Sequence, residues 1–492
     1  MNLIFCVLWC CLCFGALADK VSFLKLVGVG KPNSVATARS LVIENKWFKQ
    51  KLDHFNPTDT RTWKQRYHMN LEYYKHGGPI FLNIVGEEEM SHHWMTSGAW
   101  IEYAKKFNAM CFQLEHRYFG RSHPTDNLST KNLMYLTVEQ VLADLETFIN
   151  TISNDYEQIL LNSKWIVFGG SYSGSLAAWL RMKYPHLVHA AVSSSSPLMA
   201  KIDYQDYYMA IQDTISSYSP KCASSIIEAT STINGLLQTN DGVKYVDDKF
   251  ETCSDMSIYN KKDKALLFNN LAVSVALIVQ YNNDNKKKPK SSLSLEKLCD
   301  MMLDQSLGSP LERYVAVHKQ LRSVNNKECT TINYQDSISA LRKTSWNSQN
   351  GKLGIRQWMY LMCTEFGNFI TSHNRNNLFG DTIPLNYFMG MCTDIFGKSF
   401  NINALAKAVK KTNMIHHDLK KKTSRIIYLH GSIDAWSTLG LLQPQTRDSV
   451  SIIIKGGSHC SDLYPSRSSD SPHLKKARKT VVYYLKKWLS ED

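Results

Sequence analysis

Past residue 18 the chain has no apolar run long enough to span a bilayer. The best candidate, Leu271 to Val279, is about half the ~20 residues that a crossing helix needs. This argues against a helical channel or multispanning transporter. Internal repeats and low-complexity tracts are also missing, which argues against a solenoid or a disordered linker protein. No C-x-x-C pair occurs after residue 18, so a thiolate metal site has little to build on, and neither metal nor other cofactor is expected. Acidic residues are in deficit: 43 Asp and Glu against 57 Lys and Arg leave a net charge of +14. The excess is scattered, with short runs only at Lys286-Lys287-Lys288 and Lys420-Lys421-Lys422. That pattern favours solvated faces over a nucleic-acid surface.

What is present fits a large globular protein. The 492 residues are 43% hydrophobic, enough for a substantial core and a second lobe. Residues 1–18 form an apolar stretch closing on Ala16-Leu17-Ala18, the small-x-small pattern of a cleaved secretory signal, although no Lys or Arg precedes it. A secreted or lysosomal protein with no membrane span after cleavage follows. Four of the 12 cysteines lie in that segment. The others are Cys111, Cys222, Cys253, Cys299, Cys329, Cys363, Cys392 and Cys460, an even set that favours disulfides while leaving their connectivity open. Asn127-Leu128-Ser129 is a glycosylation sequon.

Along the chain, short apolar runs bounded by turns alternate with helix-period segments between residues 75 and 200, as in a mostly parallel sheet covered by helices. Strands are expected at Pro79 to Val85, Met110 to Leu114, Lys164 to Phe168 and Ala190 to Val192, with a helix over Val138 to Ile152. From Pro197 to about residue 405 the text turns to long helical stretches carrying most of the cysteines. Strands resume at Arg425 to Leu429 and Val450 to Ile454, and an amphipathic helix, Leu474 to Leu489, closes the chain. The expected class is α/β: a core formed by residues 19–199 and 406–492, with a large mostly helical cap inserted at 200–405.

The run Phe168-Gly169-Gly170-Ser171-Tyr172-Ser173-Gly174 sets a serine at a glycine-rich turn between an expected strand and helix. A nucleophile elbow needs small residues two positions either side of its serine. Gly169 meets that need upstream, and Ser173 replaces the usual glycine downstream. Ser171 merely capping the helix is the competing reading, and Ser173 is a weaker nucleophile candidate. A serine hydroxyl needs a base to take its proton and a third group to orient that base. In this fold the acid and the histidine follow the serine, each after a late strand. Asp434 comes after the strand at 425–429, and His459, in Gly456-Gly457-Ser458-His459, after the strand at 450–454. A turn aspartate and a surface histidine are their bland alternatives. The backbone N–H of Tyr172 is the first expected oxyanion donor, and Gly86, in Val85-Gly86-Glu87, the second.

At these residues the chain resembles the serine peptidase family of lysosomal Pro-X carboxypeptidase, dipeptidyl peptidase II and thymus-specific serine protease. The likeness runs from Trp47-Phe48-Lys49-Gln50-Lys51-Leu52-Asp53-His54-Phe55 through Glu115-His116-Arg117-Tyr118-Phe119-Gly120, Leu136-Thr137-Val138-Glu139-Gln140, Ala177-Ala178-Trp179 and Cys363-Thr364-Glu365 to Gly457-Ser458-His459. The resemblance implies an α/β-hydrolase core with a helical cap, the triad Ser171, Asp434 and His459, and Trp436 as a wall for the side chain before the scissile bond. Glu365 is a candidate for substrate binding. Ser175 stands where proline-cleaving members commonly carry Met, and the wording of the motifs is nearer the thymus-specific branch. The function expected is a serine exopeptidase acting on peptides through an acyl-enzyme, with preference for proline, direction of trimming and homodimer formation left open. An esterase or lipase on the same fold, or an inactive hydrolase-like binding protein, are the alternatives.

Overall fold

The computed structural model describes residues 43–160, 162–283, 293–324, 327–372, 377–416, 424–443, 446 and 448–491. The expected signal segment and both triple-lysine runs lie outside the described residues.

Ten strands are described: β1 (Lys46–Lys51), β2 (Thr62–Asn70), β3 (Ile80–Ile84), β4 (Met110–Leu114), β5 (Trp165–Gly170), β6 (Val188–Ser194), β7 (Lys201–Asp203), β8 (Gly367–Phe369), β9 (Ile426–Gly431) and β10 (Val450–Ile454). Eight of them form one sheet in the order β1-β2-β4-β3-β5-β6-β9-β10. From β4 to β10 all neighbours are parallel, and β1 and β2 close one edge antiparallel. All six strands expected from the sequence are present, because a parallel strand covered on both faces is written as a continuous apolar run.

Alternate residues of these strands feed two separate cores. Ile80, Leu82, Phe112 and Val167 pack on one face with Val141 and Phe148 of helix α2 (Val138–Asp155) and Leu176 of helix α3 (Tyr172–Lys183). Phe81, Cys111, Ile166 and Phe168 pack on the other with Trp100 of helix α1 (Ala99–Phe107). The closing helix, Pro472–Leu489, adds Leu485 and Trp488 to that second face. A mostly parallel sheet with helices on both faces and an inserted helical lobe is the α/β-hydrolase architecture.

The sequence reading did not anticipate β1 and β2. β2 buries Gln65 on one face and Arg66, His68 and Asn70 on the other, so hydrophobic alternation is missing where burial is nearly complete. These groups are paired instead: Arg66 donates to the buried Glu115 carboxylate at 2.5 Å.

Between β6 and β9 the described residues are mostly helical, and the strands among them are the two-stranded parallel pair of β7 and β8. Residue 200 falls between β6 and β7, whereas residue 405 falls inside the helix Ile402–His416. This lobe holds three disulfides, Cys222–Cys299, Cys253–Cys329 and Cys363–Cys392. Cys111 and Cys460 are buried outside any disulfide, so six of the eight expected cysteines pair and two do not. Among the described residues only the helix Lys261–Gln280 is long and apolar enough to cross a membrane; 78% of its most apolar window is buried inside the protein, where it is the spine of the cap. Its burial accounts for the apolar run at Leu271 to Val279.

Candidate active site

Ser171 sits between β5 and α3 with φ 56° and ψ −129°, a conformation that side chains disfavour and that persists only where the surroundings enforce it. A Cβ on Gly169 would lie 2.1 Å from the Ser173 carbonyl oxygen, so the upstream position tolerates only glycine. Downstream, Ser173 fits because its hydroxyl folds back, donating to the Gly170 carbonyl at 2.9 Å and accepting from the Gly170 N–H at 3.0 Å. Its side chain is therefore occupied by the turn itself. The reading of Ser171 as only a helix cap is not supported: its side chain makes no capping hydrogen bond to the helix.

Asp434 follows β9 and caps the short 3-10 helix Ala435–Leu439, accepting from Trp436 N–H at 3.0 Å. His459 follows β10. Its Nδ1 faces both carboxylate oxygens of Asp434, at 2.9 and 3.0 Å. Because a carboxylate only accepts, Nδ1 carries the proton and Nε2 is left as the basic nitrogen. Nε2 is buried and makes no hydrogen bond, so its lone pair is available. Both side chains are fully shielded from solvent.

The end of β6 ties the serine turn to the histidine turn. Ser171 N–H donates to Ser194 O at 2.8 Å. The next residue, Ser195, accepts through Oγ from Cys460 N–H at 2.9 Å, and Ser194 Oγ donates to Asp462 at 2.5 Å. Ser171 and the residue after His459 thus hang on two consecutive residues where that strand ends.

Ser171 opens on a small cavity of about 20 Å³ lined by Tyr172, Trp179, Pro197, Trp358, Phe366, Asn368 and Trp436. Trp436 is therefore a wall, packed against Tyr204 and Tyr207 with ring centroids 5.4 Å away in both cases. A space this size holds about one water. Anything larger would fit only if the aromatic lining gave way. Ser175, buried, donates to Pro197 O at 2.8 Å and so supports another wall.

Gly86 packs against the elbow, 3.6 Å from its would-be Cβ to Ser173 Cβ. Of the three residues in that loop, the Val85 N–H is taken by Leu114 O, and the Glu87 carboxyl is bonded by its own backbone N–H. Tyr172 is buried, and its phenol meets His116 Nε2 at 3.1 Å. His116 donates through Nδ1 to Arg117 O at 2.6 Å, and burial holds its pKa down at about 4. Glu365 does not line the cavity. It is half-buried beneath α2, accepting from Val138 N–H through both oxygens at 3.2 and 3.1 Å, and desolvation pushes its pKa up to about 8. Asn127 is half-buried, its Oδ1 accepting from Ser129 N–H at 2.9 Å.

Sequence reasoning missed Trp358, Phe366 and Asn368 as lining, and Gln280, which touches the histidine and the cavity wall. All four come from the cap, where apolar and amide residues carry no spacing signal for a site.

A profile of the serine carboxypeptidase S28 family matches residues 50–481. A Caenorhabditis elegans protein named as a serine protease is 34% identical over 90% of this chain and 87% of its own length. Human thymus-specific serine protease is 31% identical over 90% of this chain and 86% of its own. Bovine lysosomal Pro-X carboxypeptidase is 28% identical over 91% and 88%. Among solved structures, Mycobacterium smegmatis proline iminopeptidase superposes with a TM-score of 0.39 at 10% identity, over 86% of this chain and 96% of its own, too loose a likeness to argue from.

Proposed function

The chain belongs to the serine carboxypeptidase S28 family and is a serine-type exopeptidase; from that premise we propose that Ser171, His459 and Asp434 carry its hydrolytic step. His459 Nε2 takes the Ser171 proton as Oγ attacks the scissile carbonyl, and later delivers it to the leaving amine. Asp434, bound to Nδ1, fixes the tautomer and stabilises the imidazolium that forms. Water then hydrolyses the acyl-enzyme by the same route. The N–H groups of Tyr172 and Gly86 receive the oxyanion; Gly86 is the member of its loop whose donor is not already engaged as Val85 and Glu87 are.

One observation carries this reading: an imidazole locked to an aspartate through one nitrogen, with the other buried and unpartnered, tied by the end of β6 to a serine in a strained turn. An inactive binding protein would have no reason to keep that strain.

The aromatic cavity favours an apolar, compact residue before the scissile bond, and proline fits that description. Names among the relatives point the same way. The signal-like residues 1–18, the three disulfides and the sequon at Asn127 support a secreted or lysosomal glycoprotein. Digestion of a peptide library by the purified protein tests the function: single-end trimming after apolar residues, lost in Ser171→Ala, supports it. Ester turnover without peptide turnover would favour the esterase reading instead.

A further inference from the structure

The helix Lys261–Gln280 ends on the site rather than on solvent. The last carbonyls of a helix lack partners within it and must find them elsewhere. Here the carbonyl of Gln280 accepts from His459 N–H at 2.9 Å. The amide oxygen of the same residue accepts from Trp436 Nε1–H at 3.1 Å and from Tyr207 OH at 2.7 Å. Gln280 is fully buried, as are Tyr207 and, nearly so, Trp436. One cap residue thus grips the turn that holds the base with its backbone and the cavity wall with its side chain.

Resting on the triad reading above, we propose that Gln280 is a positioning residue that sets Trp436 as the wall for the substrate residue before the scissile bond. Its backbone contact to His459 survives any side-chain substitution, so the two roles separate. Losing the amide oxygen removes both of these hydrogen bonds and lets the Trp436 ring shift, which affects recognition of that substrate residue. The hydrogen bond between His459 and Asp434 stays intact, so the pH profile stays where it is.

A double-mutant cycle tests this with Gln280→Met, of similar volume but without the acceptor, and Trp436→Phe, which removes the donor. Initial rates are measured on paired peptides with proline or glycine before the scissile bond. Gln280→Met is expected to lower kcat/KM by about tenfold for the proline peptide, chiefly through KM, and by less than about threefold for the glycine peptide. In the Trp436→Phe background the further loss should fall below about threefold. Equal losses on both peptides, a shifted pH profile, or additive effects in the cycle would overturn the proposal. Should Gln280→Met fail to fold, Trp436→Phe alone must show the proline-selective loss, and its absence overturns the proposal equally. Ser171→Ala, run alongside, keeps the two claims apart: retained turnover there sinks the triad, while an additive cycle with a dead Ser171→Ala sinks only the role of Gln280.

Discussion

The hydroxyl of Ser173 is spent on Gly170, bonded to both its carbonyl and its N–H, at 2.9 and 3.0 Å. A serine committed twice to its own turn is a poor nucleophile, while Ser171, two residues earlier, holds the strained position. Ser171→Ala is expected to lower kcat by about 10³-fold or more, with labelling by a fluorophosphonate abolished. Ser173→Ala should stay within about threefold of the parent, because it removes a local turn contact worth about 1 kcal/mol. Comparable losses from the two variants would move the nucleophile.

Asp434 reaches His459 with both oxygens and caps the helix behind it. Asp434→Asn keeps the size and can still cap, but an amide presents an NH₂ where Nδ1–H needs an acceptor. The imidazole then holds its proton on the wrong nitrogen. The expected result is a fall in kcat of about 10⁴-fold with KM little changed. A loss below tenfold in steady-state assays would show that the aspartate does not orient the base.

The core strands could be read from the sequence because each is an apolar run between turns, and the serine, acid and histidine because each follows one. Other motifs proved legible as text but not as roles. Asp53 bonds Gln140 at 2.6 Å, and His54 and Arg117 both meet Asp144, at 2.7 and 2.6 Å, so these parts of the family-like segments knit the first strands to α2. Glu365 belongs with them, holding the first N–H of that same helix. Cys111 and Cys460 defeated an even count because pairing depends on distance in space: one lies inside β4, the other in the histidine turn. Gln280 was invisible because nothing in a helix-period run says what its end will meet.

That knot predicts a stability effect without a catalytic one. Arg117 and Asp144 are both buried, joined by two hydrogen bonds at 2.6 and 2.7 Å. Asp144→Ala strands a guanidinium in the core, which costs about 3–5 kcal/mol. Denaturant unfolding should record that drop. Specific activity per fluorophosphonate-labelled site should remain near that of the parent, since neither residue reaches the cavity.

Buried acids and buried histidines oppose one another as pH changes. Burial raises Glu365 and Glu87 from 4.5 to about 8. The folded state therefore holds protons that the unfolded chain has released, and stability falls as pH rises through that window. Burial lowers His116 and His318 from 6.5 to about 4, so stability rises with pH between those values. Below pH 6.5 the two groups work against each other, and above it only the acids act, so the protein should lose stability between pH 6.5 and 8. Each buried acid contributes at most about 1.4 kcal/mol per pH unit. Glu365→Gln keeps an oxygen for the Val138 N–H and removes the titration, so its melting temperature should fall less than the parent's across that interval. Parallel melting curves for the two proteins, from acid to alkali, would mean that Glu365 is already ionised where it lies, and that the start of α2 stabilises the charge more than burial penalises it.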